Sequence, residues 1–231
     1  MAFFRTLLVW GAGLPVTAFF FALMLISYVF GCGGRCMGRL TALWGGAILA
    51  LAGVRLNISG VDNIPRGRAV MFMSNHQGAF DIPALQRAIP ADFRWVAKKS
   101  LFKTPLIGWA MSIAGYIPIE RENAASAFKS LEAAADRIRM GVSVVIFPEG
   151  TRSQSDELLP FKRGAFMLAV KSGVPVVPVA IKGTKGILKR GGFFITPADV
   201  SVSFGVPFPT EGMEEKTLRT MTKDSIKEML A

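Results

Sequence analysis

The residue best suited to chemistry in this chain is His76, the only histidine in the sequence. It stands in SNHQGAF, directly after the apolar run 69–73, and Asp81 follows it within the same loop. An imidazole suits proton transfer near neutral pH, and a nearby carboxylate fixes its tautomer and stabilises the imidazolium. We therefore predict that His76 is a general base oriented by Asp81. The ordinary alternative is a histidine bonded in a turn, with Asp81 capping a helix that begins near Ile82.

No candidate nucleophile accompanies this pair. The sequence has no G-x-S-x-G motif. Its two cysteines, Cys32 and Cys36, lie in an apolar region with no histidine or further cysteine nearby to complete a zinc site. We interpret both as free thiols, with a disulfide between them as an alternative. The pattern favours direct attack by a substrate hydroxyl that His76 deprotonates, without a metal or a cofactor.

A second group of candidate residues lies in VVIFPEGTRS, at 144–153. An apolar strand ends here in a turn that contains Pro148 and Gly150. Exposed N–H groups, together with Thr151 and Arg152, suit an anionic oxygen or a phosphate at the end of a strand. An ordinary turn with an ion pair would give the same pattern.

The elements that must position these residues alternate along the chain. The predicted strands are Arg55–Ser59, Ala69–Ser74, Phe93–Ala97, Gly115–Ile119, Val142–Phe147, Val176–Ile181 and Val200–Phe204. Helical stretches lie between several of them; the clearest runs from Ala124 to Met140, with Asn123 as its N-cap and Gly141 as its stop. This alternation predicts an α/β fold with a mostly parallel sheet flanked by helices. In such sheets the site lies at the carboxyl ends of the strands.

Ahead of a catalytic domain at 55–231, residues 1–54 are predicted to form two hydrophobic helices that anchor the chain in a membrane. As a helix, the run Leu7–Phe30 would be about 36 Å long, enough to cross a hydrocarbon core of about 30 Å. The run Leu40–Val54 would reach only about 22 Å. These lengths fit either one spanning helix with an interfacial helix or a hairpin within one leaflet.

The charge of the chain also bears on its partners. Half of the residues are hydrophobic, yet the formal net charge is +11. This combination favours anionic lipid surfaces or anionic substrates, whereas a basic face that only confers solubility is the alternative. We find no nucleic-acid recognition motif. Three arginines, Arg35, Arg39 and Arg55, follow the first apolar run and only Arg5 precedes it, which predicts a catalytic domain facing the cytoplasm.

Four blocks, in this order, resemble those of the glycerolipid acyltransferase family. They are NHQGAFD at 75–81, GYIPIER at 115–121, FPEGTRS at 147–153 and VPVVPVAI at 174–181. The resemblance extends over most of the chain after the N-terminal helices. Within the family, the chain is most similar to the bacterial 1-acylglycerol-3-phosphate acyltransferases.

The resemblance implies transfer of a fatty acyl chain from acyl-CoA or acyl carrier protein to the sn-2 hydroxyl of 1-acyl-glycerol-3-phosphate, giving phosphatidic acid. It implies that His76 is the base and Asp81 its orienting partner. It also implies that the acceptor's glycerol phosphate is held by Lys98, Arg121, Glu149, Gly150, Thr151 and Arg152. Lys99 is an alternative to Lys98. The expected partners are the lipid bilayer, the lysophospholipid and the acyl donor, at the inner (cytoplasmic) membrane.

Three other functions remain open at this point. The acceptor could be glycerol 3-phosphate or a lyso-aminolipid. The chain could instead be a lipid hydrolase at the membrane surface, with His76 activating water, or a noncatalytic membrane-binding module.

Overall fold

The computed structural model describes residues 2–121, 123–153, 155 and 157–231. Its strands are β1 Arg55–Ser59, β2 Met71–Ser74, β3 Phe93–Lys98, β4 Ile117–Ile119, β5 Ser143–Ile146, β6 Val176–Lys182 and β7 Asp199–Phe204. Its α-helices are α1 Ala2–Val29, α2 Gly34–Ala52, α3 Asp81–Ala88, α4 Ile107–Ile113, α5 Ala124–Arg139, α6 Arg163–Ser172 and α7 Glu215–Leu230, with short 3-10 helices at Val61–Asn63 and Lys99–Lys103.

The strands form one sheet in the order β1-β7-β6-β2-β5-β3-β4. Every neighbouring pair is parallel except β6 and β7, which are antiparallel. The predicted α/β fold is therefore confirmed. Each predicted strand is present, with ends within two residues of those expected from the sequence.

Helices cover both faces of this sheet, and each face holds a hydrophobic core. On β2 the side chains alternate between the cores: Phe72 packs against one face, whereas Met71 and Met73 pack against the other. Leu85 of α3 belongs to the first core and Phe166 of α6 to the second. All four residues of β2 are buried, as is typical of a strand in the middle of a covered parallel sheet.

The central strands bring three loops together at one edge of the sheet. β2 pairs with β5 on one side and with β6 on the other, and all three run in the same direction. The side chain of Asn75 extends the pairing beyond the end of β2, because it donates to the Ile181 carbonyl at 2.9 Å and accepts from the Ile181 N–H at 2.8 Å. The loops that follow these three strands consequently begin side by side.

The N-terminal helices α1 and α2 form a hairpin that packs on the sheet domain. Arg5, in the first turns of α1, donates to the carbonyls of Ala50 and Leu51 at the end of α2, at 3.2 and 3.3 Å. At the other end of the hairpin the structure joins Cys32 and Cys36 in a disulfide. The start of α2 brings the two Cα atoms within 5.9 Å, a normal disulfide distance, so the structure favours the disulfide over the expected free thiols.

Helix α2 approaches α3 closely, and a glycine makes this approach possible. A Cβ atom at Gly45 would lie 2.7 Å from the carbonyl oxygen of Pro83, whereas one at Gly11 of α1 would meet nothing within 4 Å. The docking of the hairpin thus depends on the absence of a side chain at Gly45.

We expect Gly45→Leu to lower the free energy of unfolding by about 1–3 kcal/mol through overpacking against α3. Gly11→Leu is the matched control, because it brings the same gain in helix propensity at an open position. Thermal unfolding in detergent compares the two variants. Equal unfolding temperatures would show that the hairpin does not dock on α3 as described.

Candidate active site

The predicted pair of His76 and Asp81 is in direct contact. His76 Nδ1 lies 2.6 Å from Asp81 Oδ2, so the loop after β2 folds back onto the first residue of α3. The His76 side chain keeps 14% of its surface exposed, whereas the Asp81 side chain is fully buried. The carboxylate therefore faces the protein and the imidazole faces the opening of the site.

Asp81 does not act as the N-cap of α3. Its Oδ2 accepts the backbone N–H groups of Gln77 and Gly78, at 2.7 and 2.9 Å, in addition to the imidazole. Its Oδ1 accepts the hydroxyl of Thr184, in the loop after β6. The ordinary alternative of a helix cap is therefore wrong, since the carboxylate bonds the catalytic loop and not the first turn of the helix.

The loop after β5 holds the backbone of His76 from the other side. Glu149 Oε1 accepts the His76 N–H at 2.8 Å, and the His76 carbonyl accepts the Ser153 N–H at 2.8 Å. The second carboxylate oxygen of Glu149 accepts the Leu159 N–H at 2.9 Å. Burial raises the pKa of the Glu149 carboxyl, and the two N–H donors oppose that rise.

Glu149 is 1% exposed. With both oxygens bonded to backbone N–H groups, its carboxylate faces the loops and not the opening of the site. Its contact with the acceptor stays a prediction; in the structure its carboxylate holds the backbone of His76 in position.

The ring of His76 is fixed by stacking as well as by hydrogen bonding. Phe147 lies parallel to it, with ring centroids 3.9 Å apart and an interplanar angle of 6°. Nε2 has no hydrogen-bond partner among the residues that the structure describes. If Nδ1 carries the proton given to Asp81, Nε2 is the free basic atom.

The expected phosphate-binding residues lie on the β4 side of His76. Arg121 follows β4 and donates to the Gly150 carbonyl at 3.2 Å. Gly150 has a φ of +73°, which favours glycine at this turn. Lys98 ends β3, beside Ile119 of β4, whereas Lys99 forms an ion pair with Glu120 at 3.9 Å.

Thr151 and Arg152 follow Gly150, and both are exposed. Together with Arg121 they form a cationic margin next to the imidazole. Such a margin suits a phosphate group, although their roles stay a prediction.

Two residues of this site were not found from the sequence. Thr184 lies 103 residues from Asp81 in the chain, and a single threonine after a strand carries no signal of the contact. Phe147 was noted only as the first residue of the block FPEGTRS, and no contact with His76 was predicted for it. Its stacking on His76 depends on β2 and β5 being neighbours.

Comparisons with known proteins place this geometry in context. Residues 55–182 match the family model described as Acyltransferase. The chain is 39% identical over 138 residues to a chloroplastic 1-acyl-sn-glycerol-3-phosphate acyltransferase, BAT2, of Brassica napus, covering 59% of this chain and 40% of that protein. It is 33% identical over 164 residues to 1-acyl-sn-glycerol-3-phosphate acyltransferase alpha of Homo sapiens, covering 71% of this chain and 58% of that protein. The matches thus span about half the length of these relatives or less.

The fold is also similar to a solved structure. The crystal structure of the 1-acyl-sn-glycerophosphate acyltransferase PlsC from Thermotoga maritima aligns with a TM-score of 0.86 and 26% identity. The alignment covers 98% of this chain and 93% of that one, so it includes the N-terminal helices as well as the sheet.

We expect Thr184→Val to lower the free energy of unfolding by about 1–3 kcal/mol, because it leaves a buried carboxylate oxygen of Asp81 without its hydroxyl donor. Thr184→Ser retains the hydroxyl and is the matched control, expected to lose less. Denaturant titrations in detergent measure both. Equal losses would mean that the threonine methyl group, not its hydrogen bond, stabilises the loop.

Proposed function

The chain belongs to the acyltransferase family, and we propose that it transfers a fatty acyl chain from an acyl thioester to the sn-2 hydroxyl of 1-acyl-glycerol-3-phosphate, forming phosphatidic acid. The observation that carries the proposal is the oriented imidazole of His76. Its Nδ1 is bonded to a buried carboxylate and its Nε2 has no partner among the described residues. The named activities of the relatives support this choice of acceptor.

His76 acts as the general base in this scheme. Nε2 takes the proton of the acceptor's hydroxyl while the hydroxyl oxygen attacks the thioester carbonyl carbon. Asp81 stabilises the imidazolium that forms, because its carboxylate already accepts the Nδ1 proton. A positioned base accelerates such a step by about 10²–10⁴.

The tetrahedral intermediate then collapses. The carbon–sulfur bond breaks, and the thiolate takes the proton from His76 Nε2, which restores the neutral imidazole. The products are phosphatidic acid and the free thiol of CoA or of acyl carrier protein. The scheme needs no covalent acyl-enzyme, metal or cofactor.

The acceptor is held by the cationic margin on the β4 side. The Arg121 guanidinium pairs with the phosphate, and its bond to the Gly150 carbonyl fixes its direction. Thr151, Arg152 and Lys98 contribute donors around the same group. Glu149 acts indirectly, by holding the His76 backbone.

A membrane position fits both the acceptor and the hairpin. α1 is long and apolar enough to cross a bilayer, by length and composition, and it carries exposed apolar side chains such as Phe19 and Val29. Yet it touches the sheet domain at two distant places: Thr6 accepts the Ile195 N–H at 2.9 Å, and Met24 packs with Ala114. We therefore propose that the hairpin lies in the cytoplasmic leaflet of the inner membrane and does not span it.

We expect His76→Ala to reduce acceptor-dependent thiol release by about 10²–10⁴. The assay uses the purified chain in detergent with acyl-CoA, with and without lysophosphatidic acid, and detects phosphatidic acid. Retained folding is checked by thermal unfolding, since Asp81 keeps three of its hydrogen bonds in this variant. Full activity in the variant would refute the mechanism, and equal rates with glycerol 3-phosphate would refute the acceptor.

Labelling at the two ends of α1 tests the position of the hairpin. Cys36→Ser leaves Cys32 as the single thiol at the turn, and Ala2→Cys in a Cys32→Ser/Cys36→Ser background places one at the start. We expect a membrane-impermeant maleimide to reach both from the cytoplasmic face only. Labelling of the two ends from opposite faces would show that α1 spans the bilayer.

A further inference from the structure

A groove of about 900 Å³ opens on the β6 side of His76. It begins at Gln77, Gly78 and Ala79, directly after the histidine, and continues along the loop that follows β6. Two apolar side chains, Leu188 and Leu230, form part of its wall. Of its lining residues, the mechanism described above uses only Arg152, in the loop after β5.

Cationic side chains dominate the groove. Five of them line it: Arg152, Lys182, Lys185, Lys189 and Arg190. No acidic side chain is among the described residues that line it. Lys189 and Arg190 are exposed, and no carboxylate of the described residues lies within ion-pair distance of either. The groove therefore attracts an anionic ligand.

Arg152 borders both this groove and the site for the acceptor, but the other cations of the two regions follow different strands. Arg121 follows β4, whereas Lys189 and Arg190 follow β6. The strand that precedes His76 is β2, which has β6 on one side and β5, β3 and β4 on the other. The base is thus flanked by two cationic regions on opposite sides. Two such regions suit a reaction between two phosphate-bearing substrates, because two phosphates in the same region would repel each other.

We propose that the groove binds the phosphate end of the acyl donor's phosphopantetheine arm, with Lys189 and Arg190 as its main contacts. This rests on the proposed function, which assigns the acceptor's phosphate to the other side. Acyl-CoA and acyl carrier protein share the phosphopantetheine group. The arm separates the phosphate from the thioester. The site for the phosphate must therefore lie at a distance from His76, whereas the thioester lies next to it.

Gln77 supports this path. Its side-chain Oε1 is buried and has no hydrogen-bond partner among the described residues, and the residue lines the groove immediately beside His76. The pantetheine arm carries amide N–H groups, which such an acceptor suits after a small rotation of its side chain. An arm lying in the groove would pass Gln77 on its way to the imidazole.

The wall that carries the two cations is held in place. Leu188 and Ile195 form an antiparallel bridge, and the Gly192 N–H donates to the Lys189 carbonyl at 2.8 Å. The loop is also fixed to α1, because Trp10 stacks on Phe193 with centroids 5.3 Å apart. The cations are therefore presented on an ordered loop, which lowers the entropy cost of binding.

Binding of nonreactive donors tests the groove separately from catalysis. Isothermal titration of the full chain in detergent compares an S-alkyl-CoA thioether, the S-alkyl thioether of acyl carrier protein, and S-alkyl-pantetheine, which lacks phosphate. We expect Lys189→Gln/Arg190→Gln to weaken binding of at least one phosphate-bearing thioether by about three- to thirtyfold. Binding of S-alkyl-pantetheine should not change.

Lys216→Gln/Arg219→Gln is the matched control. It removes one lysine and one arginine from the first turns of α7, about 16 to 21 Å along the helix from Leu230. We expect it to leave all three affinities unchanged. The thioether that loses affinity in the groove variant identifies the donor class.

Three results would overturn the proposal. The first is unchanged binding of both phosphate-bearing thioethers in the groove variant. The second is wild-type affinity for S-alkyl-pantetheine equal to that for the phosphate-bearing thioethers. The third is weaker binding of the variant to phosphatidylglycerol vesicles with unchanged thioether affinities, which would make Lys189 and Arg190 a lipid contact. If the binding results are as expected but the chain transfers no acyl group, the proposed function is refuted and the proposal for the groove is not.

Discussion

The carboxylate of Asp81 is fully buried, and the arrangement of the site depends on how its charge is satisfied. Burying an ionised carboxylate costs several kcal/mol unless hydrogen-bond donors surround it. Here the donors are the His76 ring, the backbone N–H groups of Gln77 and Gly78, and the Thr184 hydroxyl. Three of them come from the loop after β2 and one from the loop after β6. The carboxylate thus stabilises the conformation of the catalytic loop, orients the base and connects the loops that follow β2 and β6.

The membrane hairpin is coupled to the same site by a continuous set of buried contacts. Thr41 of α2 accepts from Gln86 of α3 at 2.6 Å, and Gln86 accepts from the indole of Trp95 at 3.1 Å. Trp95 packs on Phe147 with centroids 5.3 Å apart, and Phe147 stacks on His76. Interiors are closely packed and transmit small shifts. The position of α2 on the sheet domain and the position of the imidazole are therefore connected through packed side chains.

Much of this structure could be predicted because local sequence determines it. The strands are short apolar runs between turn residues, and the predicted N-cap of α5 is confirmed, since Asn123 accepts the Ser126 N–H at 3.0 Å. The single histidine followed by an aspartate indicated the contact that the structure shows. The fold class followed from the alternation of strands and helices, and the family from four blocks in order.

What could not be predicted depends on contacts between distant parts of the chain. The antiparallel placement of β7 beside β6, and the bond from Thr184 to Asp81, have no local signal. The inward orientation of the Glu149 carboxylate could not be predicted, because a sequence motif does not reveal whether a side chain points outward or inward. The cations after β6 were counted only in the net charge, since their alignment along a groove depends on the folded loop.

The tautomer of His76 tests the central claim most directly. Because the chain contains one histidine, ¹⁵N-histidine labelling gives a single imidazole in the NMR spectrum of the detergent-solubilised protein. We expect that in the neutral imidazole the proton lies on Nδ1, bonded to Asp81, while Nε2 is free to accept the acceptor's proton. A spectrum with the proton on Nε2, or with both tautomers equally populated, would contradict the assignment of His76 as an oriented general base.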